Sequence, residues 1–185
     1  MTRLHRPGRL TRLALIAAAM SGFLVFMLAS HAIARAEGRE IMVEVEGYDP
    51  RDIFLGHYAQ IRTPLNALDP ARLDGDDDFT RHAAIFVSLE IGEDGLARPV
   101  ALHRQHPGHG LVAEGRIRSI GETIRAVFNI ERYYASRDDA LALQARLRAG
   151  GDNPPVRLIL AVPESGHLLI KGFEIDGERR IDRTW

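Results

Sequence analysis

The 185-residue chain contains no cysteine. Disulfides, zinc–thiolate centres, cysteine-ligated iron–sulfur clusters and thiol nucleophiles are therefore all excluded. Lysine is nearly absent too, with Lys171 alone against 23 arginines. Aromatic residues make up only 6% of the chain, so a core must rest on Leu, Ile, Val and Ala. No acidic residue occurs before Glu37, although Arg3, Arg6, Arg9 and Arg12 do. Without those four arginines, the chain holds 20 basic and 25 acidic residues, a net −5. An acidic body lacks the basic face that non-specific nucleic-acid binding needs. The motif inventory is equally bare. There is no G-x-S-x-G, phosphate loop, dinucleotide fingerprint or H-E-x-x-H. A Ser–Lys dyad is not offered by Tyr48–His57 either, which holds no serine.

What is present begins with a long apolar run. Leu13–Ala34 carries no acid, arginine or lysine over 22 residues. At about 1.5 Å per residue, a helix of that length spans a hydrocarbon core of about 30 Å. The arginine flank keeps the N-terminus in the cytoplasm, by the excess of positive charge that stays inside. A cleaved signal peptide is the alternative, with Ala34-Arg35-Ala36 or Ala32-Ile33-Ala34 as the cleavage site. The run exceeds a usual signal core of about 7–15 residues, which favours an uncleaved anchor. The expected organisation is a cytoplasmic flank over 1–12, an anchor over 13–34, a tether over 35–39 and an exported domain over 40–185. The location is then the inner membrane, single-pass, with the domain on the periplasmic side.

The exported part reads as strands. Ile41–Glu46 (IMVEVE) turns to strict alternation, the period of a half-buried strand. His57–Thr63, Ala83–Ile91, Leu96–His103, Gly115–Ile120, Glu122–Arg132, Val156–Val162, Leu168–Ile175 and Glu178–Ile181 are the other candidates. Glu93-Asp94-Gly95 and Asp176-Gly177 are hairpin turns, because Asp-Gly adopts the positive φ that tight hairpins require. Asp69–Thr80 is expected to be an exposed loop. One soluble helix starts at Ser136 and ends at Gly150-Gly151, with Ala140, Leu143 and Leu147 as its apolar stripe. Strands do not alternate with helices. The fold class is therefore mainly β, an antiparallel β-sandwich or partly open barrel with one short helix, preceded by an N-terminal transmembrane helix.

Three stretches carry a resemblance. YDPRDIFLGHYAQIRTPL contains Asp49, Pro50, Arg51, Asp52, Gly56, Tyr58 and Ile61. Phe128–Tyr134 (FNIERYY) includes Glu131 and Tyr133, and HLLIKGFEIDG runs from His167 to Gly177. In this order they resemble the signatures of the bacterial GDYXXLXY family, whose members carry a membrane-anchor segment upstream. Three positions depart from the pattern: His57 stands for Asp, Thr63 for Tyr, and Asn129 for Gly. The resemblance implies a membrane-held extracytoplasmic domain and a polytopic membrane protein as partner. It implies no cofactor and no particular chemistry.

The residues of the first stretch suit a turn entering a strand. Pro50 fixes φ, Asp49 or Asp52 closes an Asx-type turn, Arg51 pairs with an acid, and Gly56 redirects the chain. Tyr58 and Ile61 are three apart and cannot share a face of a regular strand, which suggests a bulge. Glu131 is expected to reach Arg51 or Arg62 if the first two signatures lie together. An enzyme of the cell envelope would need Arg51, Asp52, His57 and Glu131 to converge, with His57 as base. A metal or small-ligand binder would use His103, His106 and His109, spaced three apart in a loop broken by Pro107 and Gly108. The favoured function is a non-enzymatic accessory or interaction module.

Overall fold

The computed structural model describes residues 8–45, 58–134 and 156–182. The helix expected at Ser136–Gly150 lies outside them, as do Asp49, Pro50, Arg51, Asp52, Gly56 and His57.

Helix α1 spans Arg9–Glu37, and none of its residues is buried. It is long and apolar enough to cross a membrane. Its end runs straight into strand β1, Arg39–Glu44, through Gly38 alone. Residues 35–39 are thus shared between helix and strand. Gly38 suits this joint, since a Cβ there would stand 2.8 Å from Ala34 O and 3.0 Å from Ala161 Cβ.

Strands dominate the rest. After β1 come β2 (Tyr58–Gln60), a 3-10 turn at Pro64–Asn66, β3 (Ala67–Leu68), β4 (Asp74–Gly75), β5 (Ala84–Ile91) and β6 (Ala97–His103). Then follow β7 (Leu111–Ile120), β8 (Ile124–Val127), β9 (Arg132–Tyr134), β10 (Arg157–Val162), β11 (Leu169–Ile175) and β12 (Glu178–Ile181). One sheet has the order β1-β10-β11-β12 and a second β3-β8-β7-β5-β6-β4, while β2 and β9 form a ribbon. Every strand pair is antiparallel except β4 with β6. The fold is mainly β, with two principal sheets, one curled into a half-barrel.

Alternation places the core between them. Ile85, Val87 and Leu89 point inward from β5, and Ile41 and Val43 from β1. They join Leu158, Leu160, Phe173, Ile117 and Phe128 in one buried cluster spanning both sheets. Each such side chain contributes about 1.5–3 kcal/mol through removal from water. Both Asp-Gly segments join neighbouring strands, but at Asp94-Gly95 only Gly95 takes a positive φ and the connection between Ile91 and Ala97 is longer than a two-residue turn. Asp176 and Gly177 take φ of 53° and 81°, the pair of positive values a two-residue turn needs.

Three expectations change. The strand expected over Glu122–Arg132 is two strands, β8 and β9, divided by a turn in which Asn129 has φ 62°. Asp69–Thr80 is a loop that nevertheless contributes β4, and Asp76 accepts a 2.8 Å hydrogen bond from Arg104 N. Strand β7 starts at Leu111 rather than Gly115, because the glycines at 108 and 110 end the loop early through positive φ.

Candidate functional site

The signature segments meet. Strand β2 pairs with β9, setting Tyr58 opposite Tyr134 and Ala59 opposite Tyr133. One residue on, Ile61 N donates to Glu131 O at 2.8 Å. That bond continues the regular register of the ribbon, so the bulge expected from the spacing of Tyr58 and Ile61 is not seen in the described part of β2. Ile61 enters the core, 1% exposed. Thr63, also buried, caps the 3-10 turn: its N–H and hydroxyl donate to Asn66 Oδ1 at 2.9 and 3.2 Å.

Glu131 does not pair with Arg62, and Arg51 lies outside the described residues. Its Oε1 instead accepts from Phe128 N at 2.7 Å and from Asn66 Nδ2 at 2.9 Å. Asn66 Nδ2 also reaches Ala126 O at 3.2 Å. The physical reason is local. The positive φ at Asn129 folds the chain back, so the carboxylate meets the amide three residues behind it before any distant arginine. The acid is thus a turn brace. Asn is a side-chain-bearing residue that tolerates this left-handed conformation well, which suits it to this turn.

The third segment forms the seat of the helix. Strand β11 carries a bulge: Ile159 faces Gly172 and Leu160 faces Ile170, leaving Lys171 as the extra residue. The bulge disrupts the β10–β11 ladder at this point, although the Lys171 carbonyl also accepts from Asp182 N at 2.8 Å. Arg35, in the last turn of α1, reaches the carbonyls here. Its Nε donates to Ile170 O at 3.1 Å, and its Nη2 to Lys171 O and Asp182 O, both at 3.0 Å. Lys171 Nζ reaches back to Glu40 Oε2 at 2.7 Å, and Arg179 also pairs with Glu40. These two cations hold the Glu40 carboxyl below its ordinary range. Gly172 must be glycine, because a Cβ would meet Arg180 O at 1.9 Å.

A comparison with protein-family models matches the GDYXXLXY protein over residues 20–173, most of the chain. The chain belongs to the GDYXXLXY family. No curated protein and no solved structure matches it. The matched span starts inside α1 and ends at Phe173, so it takes in the C-terminal part of the helix with Arg35, and both sheets except the end of β11 and β12.

Two crevices flank the helix end of this GDYXXLXY domain. The larger, about 560 Å³, lies among Ala34, Gly38, His106, Leu111, Val162 and Pro163. The smaller, about 350 Å³, lies among His31, Phe128, Asn129, His167, Leu169 and Ile170. The second therefore touches two of the three signature segments and the helix at once.

The histidine triplet does not converge. His103 ends β6, as the strand expected over Leu96–His103 has it, and its Nε2 meets Ser88 Oγ at 2.9 Å. His106 accepts from Gly108 N at 3.0 Å and stands edge-on to Phe86. His109 Nδ1 lies 2.9 Å from Pro107 O. Each ring is engaged locally. Among the described residues, no group of three His, Cys, Asp or Glu side chains is placed to hold a metal ion.

Sequence reasoning missed Arg35, assigned to a tether, and the Ser88–His103 pair. A lone arginine closing an apolar run was the available signal for the first. The second needed the bulge between Ser88 and Leu89, which offsets the hairpin register and has no mark in composition.

Proposed function

We propose that this GDYXXLXY protein is a single-pass inner-membrane protein whose extracytoplasmic β-domain is a non-catalytic accessory module for a polytopic membrane protein. The uncleaved anchor is supported by one observation above all. Arg35 is built into the domain through three carbonyls. Cleavage after Ala36 would remove that side chain and its donors to the Ile170, Lys171 and Asp182 carbonyls. Helix α1 has no buried residue, so its flanks are free for lipid or for other helices. We assign partner contact to the signature stretch from Asp49 up to Gln60, since Ile61 is buried in the core.

The test is crosslinking and capture of the full-length protein from its native membrane, with Arg51→Ala and Tyr58→Ala variants that retain their melting temperature. Loss of one specific membrane protein in a folded variant supports the module. A wild-type capture without any specific membrane protein removes it.

A hydrolytic function has one observation in its favour, the Ser88–His103 pair at the distance of a nucleophile and its base. Among the described residues no carboxylate orients the far side of His103. Labelling by a serine-directed fluorophosphonate, lost in Ser88→Ala, would favour this second function. An unlabelled wild-type protein would remove it.

A further inference from the structure

The crevice between His31, Asn129 and His167–Ile170 has a depth that can be counted from the chain. This argument rests on the anchor proposed above. Arg12 is the last charge before the apolar run and marks the inner boundary of the hydrocarbon. A core of about 30 Å takes about 20 helical residues at about 1.5 Å each. Counted from Leu13, it ends near Ala32. His31 then stands at the outer edge of the hydrocarbon, one turn before Arg35. Arg35 bonds Ile170, Lys171 and Asp182. No slack separates helix from domain, because β1 starts at Arg39. The mouth of strand β11 is therefore carried within the interfacial layer, which is about 5–8 Å deep on each side.

The lining suits that layer. Leu168, Leu169, Ile170 and Phe128 make an apolar floor, while His31, His167 and Asn129 supply polar groups. His167 holds Glu114 Oε2 through Nδ1 at 3.2 Å, which leaves Nε2 for another partner. At about 350 Å³ the crevice has room for about a dozen water-sized groups. That accommodates a glycerol phosphate with the first methylenes of one chain. Glu114 stands at the polar rim by its pairing with His167, and among the described residues no lysine or arginine lines the crevice. Recognition thus does not depend on a net negative lipid.

We propose that the β-domain is seated on the outer leaflet and that this crevice takes the glycerol end and upper acyl chain of a bilayer glycerophospholipid. The domain is then a rigid extension of its helix, resting on the membrane rather than swinging above it.

Tryptophan quenching tests this in the full chain, in a Trp185→Phe background. Single tryptophans are placed by Phe23→Trp in the helix, Leu169→Trp in the crevice and Glu178→Trp at the far end of the β11–β12 hairpin. Residues 169 and 178 are separated by about 20 Å of strand. The proteins are reconstituted in phosphatidylcholine brominated high on the acyl chain. The expected result is strong quenching at 23, at least half as much at 169, and little at 178. Quenching at 23 with position 169 as weak as 178 overturns the lipid seat and leaves the crevice to a protein partner. Absence of quenching at 23 overturns the anchor itself, and the seat with it. Where Leu169→Trp fails to fold, His167→Trp, on an exposed side chain of the same crevice, reads the same depth.

Discussion

Asn129 carries its side chain at φ 62°, where a Cβ is crowded by the following carbonyl. Glycine is free of that strain, and a β-branched residue suffers it most. Asn129→Gly is expected to be neutral or to raise stability by up to about 1 kcal/mol, and Asn129→Val to lower it by about 1–2 kcal/mol. Urea denaturation of the folded domain in detergent reads both. Glu131 braces the same turn by accepting from Phe128 N and Asn66 Nδ2. Glu131→Ala leaves two donors without their acceptor in a half-buried position, a loss of about 1–3 kcal/mol. Glu131→Gln keeps a carbonyl acceptor and should retain more than half of that, by the same measurement. At the surface, Asp94 is held down to about 2 by the Arg98 guanidinium, helped by the Leu96 amide. Its folded value lies below its ordinary 3.8, so whatever the pair contributes is present above about pH 4 and fades as pH falls through about 2. In a carboxyl NMR titration, Arg98→Ala should move the Asp94 midpoint up toward 3.8.

Strand β11 shows how an irregular element can be more informative than a regular one. Its bulge turns the Ile170 and Lys171 carbonyls toward Arg35. A guanidinium presents its donors in a fixed fork, so an ammonium cannot meet all three carbonyls in the same geometry. Arg35→Ala and Arg35→Lys should both loosen the joint. Amide exchange at 37–40 and 170–172 should rise by about five- to thirtyfold for a loss of about 1–2 kcal/mol. Unchanged exchange in Arg35→Ala would show that the seat does not depend on this side chain. The same strand explains what the sequence could and could not disclose. Hairpins β5–β6, β10–β11 and β11–β12 were legible because their turns and alternation are local. The division of β8 from β9 was not, since a single Asn at positive φ looks like any other Asn. The two-residue strands β3 and β4 are too short to show a period. Of the site, the three signature stretches were visible one by one. Their convergence depends on pairing Gln60 with Arg132 and on a helix-to-strand contact across more than 130 residues, and neither leaves a mark in local composition.

At the scale of the molecule, one buried cluster joins the two sheets while α1 stays wholly outside it. The helix therefore adds nothing to the core and is stabilised by what surrounds it. On the topology proposed above, an apolar helix with four arginines before its run and none inside it is surrounded by a bilayer, entered with the arginines on the cytoplasmic face. The acidic β-domain is then external, and the cysteine-free chain makes the topology easy to read. A cysteine introduced by Arg3→Cys should react with a membrane-impermeant maleimide only after the membrane is opened. One introduced by Glu178→Cys, at an exposed side chain, should react in intact spheroplasts. No native thiol competes with either label. The reverse pattern would place the domain in the cytoplasm and refute the orientation. Reaction at 178 together with a mature mass lacking the first 34 or 36 residues would keep the export but make the helix a signal peptide. In that case Arg35 would be lost or left as a chain end, and the protein would wash from the membrane in carbonate. Retention after carbonate, with both labels as expected, is the outcome that the Arg35 seat predicts.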